Sequence, residues 1–352
     1  MSDDIAAPAP RANPELVGHE AAEMALRQLV DGGRLPHGLL LSGPRGIGKA
    51  TLAFRLARYV LWQGGEGAGL DMFGAPAENS LSGLAVPADS GVFRRVAAGG
   101  HADLLTVERA FDPRRRRLRS EIIVDDVREI GAFLHLTAAE GGWRVVVVDG
   151  ADAMNRNAAN ALLKILEEPP RRTLLVLVAH SPGKLLPTIR SRCRQIKLAP
   201  LATPEVRALL ARYLPELDDG EAARIADLAE GSIGRALELA GSGGVELYRT
   251  MLGMLTRPKL DPLELHGFAD RLARADAEDS YRALEELLCQ HLARQAAGAA
   301  RAGRLGEAAR WARVRDDIGE EFARADGLNL DRKQTVLGAF FAVERAASGD
   351  RR

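Results

Sequence analysis

The hydrophobic pattern of the chain changes near residue 200. Before that point, short and continuously apolar runs alternate with segments in which apolar residues recur at helical spacing. Five runs are candidate strands: HGLLLSG, DLLTVE, SEIIVDDV, WRVVVVD and TLLVLVAH. Because such runs are rich in Val and Leu and alternate with helical segments, they predict a parallel β-sheet that helices cover on both faces.

Beyond residue 200 the strand pattern ends and only helical periodicity remains. Residues 201–243 contain three short amphipathic segments, and about five longer helices are predicted over 245–348. Tyr281, Leu284 and Leu288 have the one-sided spacing of a packed helix. This second half of the chain is therefore predicted to be entirely helical.

These changes of pattern predict three domains. A short flexible arm is followed by the α/β domain, a small helical domain and a larger all-helical domain. Their predicted ranges are 1–13, 14–200, 201–243 and 244–352. Within the α/β domain, residues 64–91 hold 7 Gly and 2 Pro without sustained periodicity, which indicates a long surface insertion.

Composition narrows the class of protein. The 352 residues are 46% hydrophobic and 27% charged, as in ordinary globular domains, and 48 basic residues balance 48 acidic ones. Any contact with nucleic acid must therefore use a local patch. The two cysteines, Cys193 and Cys289, form neither a disulfide framework nor a four-cysteine zinc site. Since the chain also lacks an apolar leader and any apolar run of about 18 residues, we expect a cytoplasmic protein without membrane contact.

The strongest local signal is the segment GPRGIGK, residues 43–49, between a predicted strand and a predicted helix. The pattern GxxxxGK predicts a phosphate-binding loop, in which backbone N–H groups at a helix N-terminus hold phosphate oxygens and the lysine adds a charge. The candidate nucleotide-binding residues are therefore Gly43, Gly46, Gly48 and Lys49. The alternative is a degenerate loop that is kept only for its turn geometry.

The metal-binding part of this site is incomplete. The residue after the loop lysine normally offers magnesium a hydroxyl, but here it is Ala50, and Thr51 is rotated by about 100° around the helix. Asp149 ends the run RVVVVD, where a carboxylate can hold magnesium-bound water. Gly150 follows without a side chain, and Asp152 is the alternative acid. We therefore expect that the site binds ATP or ADP at most, requires no cofactor, and hydrolyses ATP very slowly.

Two further segments indicate a family. NAANALLKILEEPP at 157–170 and LLPTIRSRC at 185–193 closely resemble the bacterial clamp-loader subunits of DNA polymerase III, which are AAA+ proteins. The resemblance also includes LVGHEAAE, the phosphate loop and GSIGRAL, and so covers nearly the whole chain. It implies a P-loop NTPase-like sheet domain, a helical lid and a C-terminal helical collar. The active gamma/tau ATPases of the family retain the loop Ser/Thr and an acidic pair that ends in Glu where this chain has Gly150, so the chain resembles a subunit that does not hydrolyse ATP.

The resemblance implies roles for two arginines. Arg192 of the SRC motif corresponds to an arginine finger, which acts in trans on the ATP of a neighbouring subunit. Arg235 of GSIGRAL corresponds to an arginine that reaches over bound nucleotide. The alternatives are a surface arginine for Arg192, with Arg190 as its nearest rival, and a structural helix start for Arg235. The usual polar sensor residue is not assignable among residues 179–181.

The resemblance also implies partners. They are the gamma/tau and delta subunits, the sliding clamp and primer–template DNA, within a DNA polymerase III holoenzyme whose polymerase site is on another chain. The first alternative is an active ATPase motor of the same family or a recombination-associated AAA+ relative. A small-molecule P-loop kinase would need an intact magnesium ligand, and it leaves the SRC and LLKILEEPP segments unexplained.

Two features argue against additional ligands. Many family members carry a zinc module in the first domain, but no cysteine lies between residues 64 and 140, so no zinc is expected. The basic run Arg114–Arg119 is a candidate contact for DNA phosphates. A solvated hairpin turn is the favoured interpretation, because no aromatic residue is interleaved and the flanks are acidic.

Overall fold

The computed structural model describes residues 7–64, 83–112, 117–140, 142–257 and 259–348. Its contacts divide the chain into two units: Met1–Leu214 with Glu230–Gly234, and Pro215–Ala229 with Arg235–Arg352. The three-domain division expected from the sequence stays a prediction. Most of the Gly-rich insertion lies outside the described residues, as do residues 1–6 of the arm and 113–116 of the basic run.

The elements of the first unit alternate as the apolar runs predict. In chain order they are α1 (Glu20–Asp31), β1 (Gly38–Ser42), α2 (Lys49–Gly64), α3 (Gly91–Ala97), β2 (Leu104–Val107), β3 (Phe111–Asp112), β4 (Arg117–Leu118), α4 (Val124–His135), β5 (Arg144–Asp149), α5 (Arg156–Glu167), β6 (Thr173–Ala179), α6 (Pro187–Arg192), β7 (Arg194–Lys197) and α7 (Thr203–Tyr213). Strands β3 and β4 form a separate antiparallel pair, and β4 includes Arg117 of the basic run. The solvated turn expected there stays a prediction.

The main sheet has five parallel strands in the order β2-β5-β6-β1-β7. Strand β1 therefore lies between two strands that follow it late in the chain. At such a change of strand order, the connections leave a crevice outside the carboxyl ends of the strands, where α/β proteins bind ligands. The phosphate-loop segment begins at this point.

Two apolar layers enclose the sheet. On one face, Val145 and Val147 pack with α2 and α3, and on the other, Val146 and Val148 pack with α4 and α5. All four valines are 0% exposed. The predicted parallel sheet with helices on both faces is confirmed, and with the helical C-terminal part it gives the fold class expected from the sequence.

One predicted strand is wrong. SEIIVDDV forms only a single bridge, from Ile122 to Met154, and helix α4 begins at Val124. The Asp126 side chain accepts a hydrogen bond from the backbone N–H of Ile123 at 2.9 Å, which starts the helix inside a β-branched run. The fifth strand is β7, whose residues are mostly exposed and therefore gave no apolar signal.

Asn155 caps helix α5. Its Oδ1 accepts a hydrogen bond from the N–H of Ala158 at 3.0 Å. We expect Asn155→Ala to lower the free energy of unfolding by about 1 kcal/mol, because a helix N–H loses its partner. Urea denaturation followed by circular dichroism measures the change. Asn157→Ala, at an exposed position of the same helix, is the control and should leave the midpoint nearly unchanged.

The remaining elements are helices. In chain order they are α8 (Asp219–Ala229), α9 (Ile233–Gly241), α10 (Gly244–Leu255), α11 (Pro262–Leu272), α12 (Glu278–Arg301), α13 (Leu305–Leu328) and α14 (Arg332–Ala347). Tyr281, Leu284 and Leu288 are buried, and Tyr281 lies against Phe322 of α13 with 5.0 Å between ring centroids. The predicted helical second half is confirmed. No helix in the described part of the chain is long and apolar enough to cross a membrane.

Candidate functional site

The phosphate-loop segment forms a tight turn between β1 and α2. Gly43, Gly46 and Gly48 have φ angles of 152°, 74° and 102°, which favour glycine. A Cβ atom on Gly43 would lie 2.5 Å from the carbonyl oxygen of Leu198, so a side chain does not fit there. The loop ends at Lys49, the first residue of α2. The structure therefore brings the four loop residues into the predicted strand–loop–helix arrangement.

Two distant segments hold this loop in place. Nε2 of His19, before α1, lies 2.6 Å from the carbonyl oxygen of Ile47. The N–H of Gly234 donates to the carbonyl oxygen of Gly46 at 2.9 Å, and a Cβ on Gly234 would lie 2.9 Å from the Cα of Gly46. Neither contact was predicted, although both residues lie in the segments LVGHEAAE and GSIGRAL.

Lys49 is buried close to two acidic residues. Its Nζ donates to the carbonyl oxygen of Pro44. Burial lowers the pKa of Lys49 to about 8, against the opposing effect of Asp149 and then of Asp152. Burial also raises the pKa of Asp149, and Glu108 adds to that rise while Lys49 opposes it. Lys49 and Asp149, two of the predicted site residues, therefore interact electrostatically at the carboxyl ends of the strands.

Asp152 is already engaged by the backbone. Its Oδ1 accepts a hydrogen bond from the N–H of His180 at 3.0 Å, and its Oδ2 accepts one from the N–H of Ser181 at 2.8 Å. Both oxygens therefore fix the segment after β6, which argues against Asp152 as a substitute for the missing acid at Gly150. Gly150 has a φ of 76°, a backbone conformation that residues with a side chain rarely adopt.

His180 is the polar residue that sequence reasoning left unassigned. It follows β6, and burial, followed by the charge of Lys49, lowers its pKa. Its Nδ1 is buried and has no hydrogen-bond partner among the described residues. His180 therefore lies in the electrostatic neighbourhood of the phosphate loop. Its position directly after a buried strand is the one sequence feature that could have indicated a site residue. A single histidine at such a position does not by itself indicate a particular function.

The residues present fit a phosphate group better than a magnesium ion. The turn of glycines and Lys49 provide the donors and the positive charge that phosphate oxygens need. Ala50 has no side-chain oxygen, Thr51 is only 8% exposed, and both carboxylate oxygens of Asp152 accept backbone hydrogen bonds. Among the predicted metal-site residues, Asp149 alone offers an available carboxylate.

Arg192 lies on the surface of the first unit, at the end of α6. Its Nη2 is 2.7 Å from Oε1 of Glu167, and its Nη1 donates to the carbonyl oxygen of Thr188 at 3.1 Å. The side chain keeps 37% of its area exposed. The adjacent Cys193 is buried in the core, and burial raises the pKa of its thiol to about 11, so this cysteine acts as a packing residue.

Arg235 belongs to the second unit, where it contacts helix α12. Its Nη2 donates to Oε1 of Gln290 at 2.9 Å, and its Nε lies 3.9 Å from Oε2 of Glu286. Nε2 of Gln290 donates in turn to the carbonyl oxygen of Leu228. Arg235 is therefore part of a hydrogen-bonded link between helices of this unit, and its predicted role over a nucleotide stays a prediction.

Comparison with known proteins gives a consistent family. The family model described as "DNA polymerase III, delta subunit" matches residues 78–202. DNA polymerase III subunit delta' of Pseudomonas aeruginosa is 37% identical over 214 residues, which are 60% of this chain and 58% of that protein. DNA polymerase III subunit gamma/tau of Mycobacterium tuberculosis is 30% identical over 289 residues, which are 79% of this chain and 46% of that protein. The chain thus spans about half the length of these relatives.

A solved structure of a DNA polymerase III gamma subunit-related protein from Thermotoga maritima covers 91% of this chain at 19% identity, with a TM-score of 0.41. Because that score is low, the fold rests on the strand order and the loop described above. The residues that the family model matches include the LLKILEEPP and SRC segments. The chain is therefore similar to bacterial DNA polymerase III clamp-loader subunits of the delta-prime and gamma/tau type.

Proposed function

We propose that this chain acts as a delta-prime-type subunit of the clamp loader. It does not hydrolyse ATP itself, and it supplies Arg192 to the ATP site of a neighbouring gamma/tau subunit. Together with delta it helps to load the sliding clamp on primer–template DNA in the cytoplasm during replication. The observation that carries the proposal is the surface position of Arg192 at the end of α6, on a chain whose own phosphate loop is followed by Ala50.

The chemistry of Arg192 suits action on a neighbour. A guanidinium is always charged and offers several donors to the oxygens on which charge develops during phosphoryl transfer. Its present partner, Glu167, is itself 48% exposed. Since an exposed ion pair of this kind contributes about 0–1 kcal/mol, exchanging the carboxylate for a triphosphate costs little.

The chain's own pocket favours binding over turnover. Lys49, with a pKa of about 8, is mostly protonated at neutral pH and can attract a phosphate group. Two groups that ATP hydrolysis uses are missing, however: position 50 has no hydroxyl to bind magnesium, and position 150 has no carboxylate to orient a water molecule. ATP or ADP is therefore proposed as a retained ligand rather than as a substrate.

The isolated chain should show no ATP turnover above that of its Lys49→Ala variant. Phosphate release at saturating ATP measures the rate, and the variant corrects for contaminating ATPases. Turnover of about 1 s⁻¹ or faster that Lys49→Ala abolishes would contradict the proposal, because that rate is within the usual range of enzymes. It would favour the alternative, an active ATPase motor of the same family.

A further inference from the structure

A cleft lies in the first unit at the amino ends of strands β5 and β6. The phosphate loop lies at the other end of the sheet, where the strands have their carboxyl ends. It has a volume of about 420 Å³ and is lined by the end of α4, the segment that follows it, the first residue of β5 and the segment before β6. Arg144, Arg171, Arg172 and His135 line it. None of the described residues that form its wall is acidic, so the cleft is a local concentration of positive charge.

Arg144 is the buried member of this group. It is 5% exposed, and its Nη1 donates to the carbonyl oxygen of Phe133 at 2.5 Å. Its Nη2 is buried and has no hydrogen-bond partner among the described residues. Because a guanidinium cannot be deprotonated in a protein, this leaves a charged donor without an acceptor, which is a costly arrangement.

Thr173, which lies beside Arg144 on the next strand, is a second buried group without a hydrogen-bond partner among the described residues. It is the register partner of Arg144 on the adjacent parallel strand β6, so both side chains project from the same face of the sheet. Two neighbouring strands thus begin with polar side chains that each keep one buried atom, Nη2 of Arg144 and Oγ1 of Thr173, without a hydrogen-bond partner among the described residues.

The rim of the cleft is rigid and cationic. Arg172 has a φ of 54°, which is uncommon for a residue with a side chain, and its carbonyl oxygen accepts a hydrogen bond from the N–H of Arg144 at 2.9 Å. This bond fixes the turn that carries the exposed Arg171 and Arg172. Arg144 and the two rim residues therefore place three guanidinium groups around one cavity.

We infer that this cleft binds a phosphate group, either as free orthophosphate or as part of a polynucleotide backbone. Guanidinium groups match the oxygens of phosphate in pairs, and three of them suit a tetrahedral dianion better than a single carboxylate. No Phe, Tyr or Trp is among the described residues that line the cavity, so a polynucleotide would be held through its backbone and without sequence preference.

The test uses the full chain with Lys49→Ala, which weakens phosphate binding at the other end of the sheet. Equilibrium dialysis with radiolabelled orthophosphate, at constant ionic strength, measures binding of the free ion. Fluorescence anisotropy of a labelled 12-nucleotide oligothymidylate measures binding of the polynucleotide. Arg144→Lys keeps the charge but removes the forked donors, and Arg171→Gln removes one rim charge. Arg207→Gln, at an exposed arginine of α7 outside the cleft, is the matched control.

We expect one orthophosphate or one oligonucleotide bound per chain. Arg144→Lys should raise the dissociation constant about tenfold, and Arg171→Gln about threefold. Arg207→Gln should change orthophosphate binding little. The probe whose affinity responds to both cleft variants identifies the source of the phosphate. If Arg144→Lys fails to fold, Arg171→Gln decides. The inference is overturned if neither probe binds, or if binding is the same in Arg171→Gln and in Arg207→Gln.

Discussion

Arg192→Ala is expected to lower ATP turnover about a thousandfold at the gamma/tau site to which the arginine is proposed to contribute. Turnover falls because the variant lacks the cation that stabilises the negative charge developing on the transferred phosphoryl group. The chain itself should fold normally, because the Arg192 side chain lies on the surface. The measurement is DNA- and clamp-stimulated phosphate release by a loader reconstituted with gamma/tau and delta. Gamma/tau sites that this chain does not face remain active and set the background.

Two neighbouring arginines make the result specific. Arg194→Ala changes an exposed arginine of β7 two residues away and should leave turnover unchanged. Arg190→Ala tests the nearest rival, which is only half-buried in α6. Gel filtration shows whether each complex assembles. Full turnover by an assembled Arg192→Ala loader, or a large loss with Arg190→Ala alone, would remove the proposed role of Arg192.

Gly231→Ala is expected to destabilise the first unit by about 3 kcal/mol or more, from strain and overpacking together. Gly231 has a φ of 80°, and a Cβ there would lie 2.4 Å from the carbonyl oxygen of Leu201 and 2.6 Å from the Cβ of Pro200. Urea unfolding in a Trp311→Phe background measures this unit, because Trp62 and Trp143 of the three tryptophans both belong to it.

Gly131→Ala provides the matched control with the opposite sign. Gly131 lies inside helix α4 and a Cβ there meets no atom within 4 Å. Since alanine loses less conformational freedom in a helix than glycine, this variant should stabilise the unit by about 0.5–1 kcal/mol. Equal effects of the two variants would mean that the close packing at Gly231 does not determine its stability.

Much of the fold could be predicted from local pattern. Runs such as RVVVVD are buried on both faces and need no long-range information to be recognised as strands. The apolar pattern wrongly predicted a strand at SEIIVDDV. There the Asp126 side chain accepts a hydrogen bond from the N–H of Ile123, and a helix begins inside the β-branched segment. The pattern also missed β7, an edge strand whose exposed residues have no apolar signature.

The candidate site could be predicted only where its residues are contiguous. The glycines of the loop and Lys49 form one motif, and Asp149 ends a recognisable strand. The contacts of His19 with Ile47 and of Gly234 with Gly46 join segments that are far apart in the chain, so no local spacing predicts them. The pair formed by Arg192 and Glu167 also crosses between two helices.

That last pair gives the proposed arginine finger a resting position within its own chain. In the proposed assembly, Glu167 competes with the neighbour's nucleotide for the same guanidinium. Because a triphosphate carries more negative charge than one carboxylate, the guanidinium would bind the triphosphate in preference to Glu167. Loss of the terminal phosphate would weaken that binding and favour the pair with Glu167 again. Glu167, the ion-pair partner of the arginine in the free chain, would thereby help the two subunits to part after each cycle.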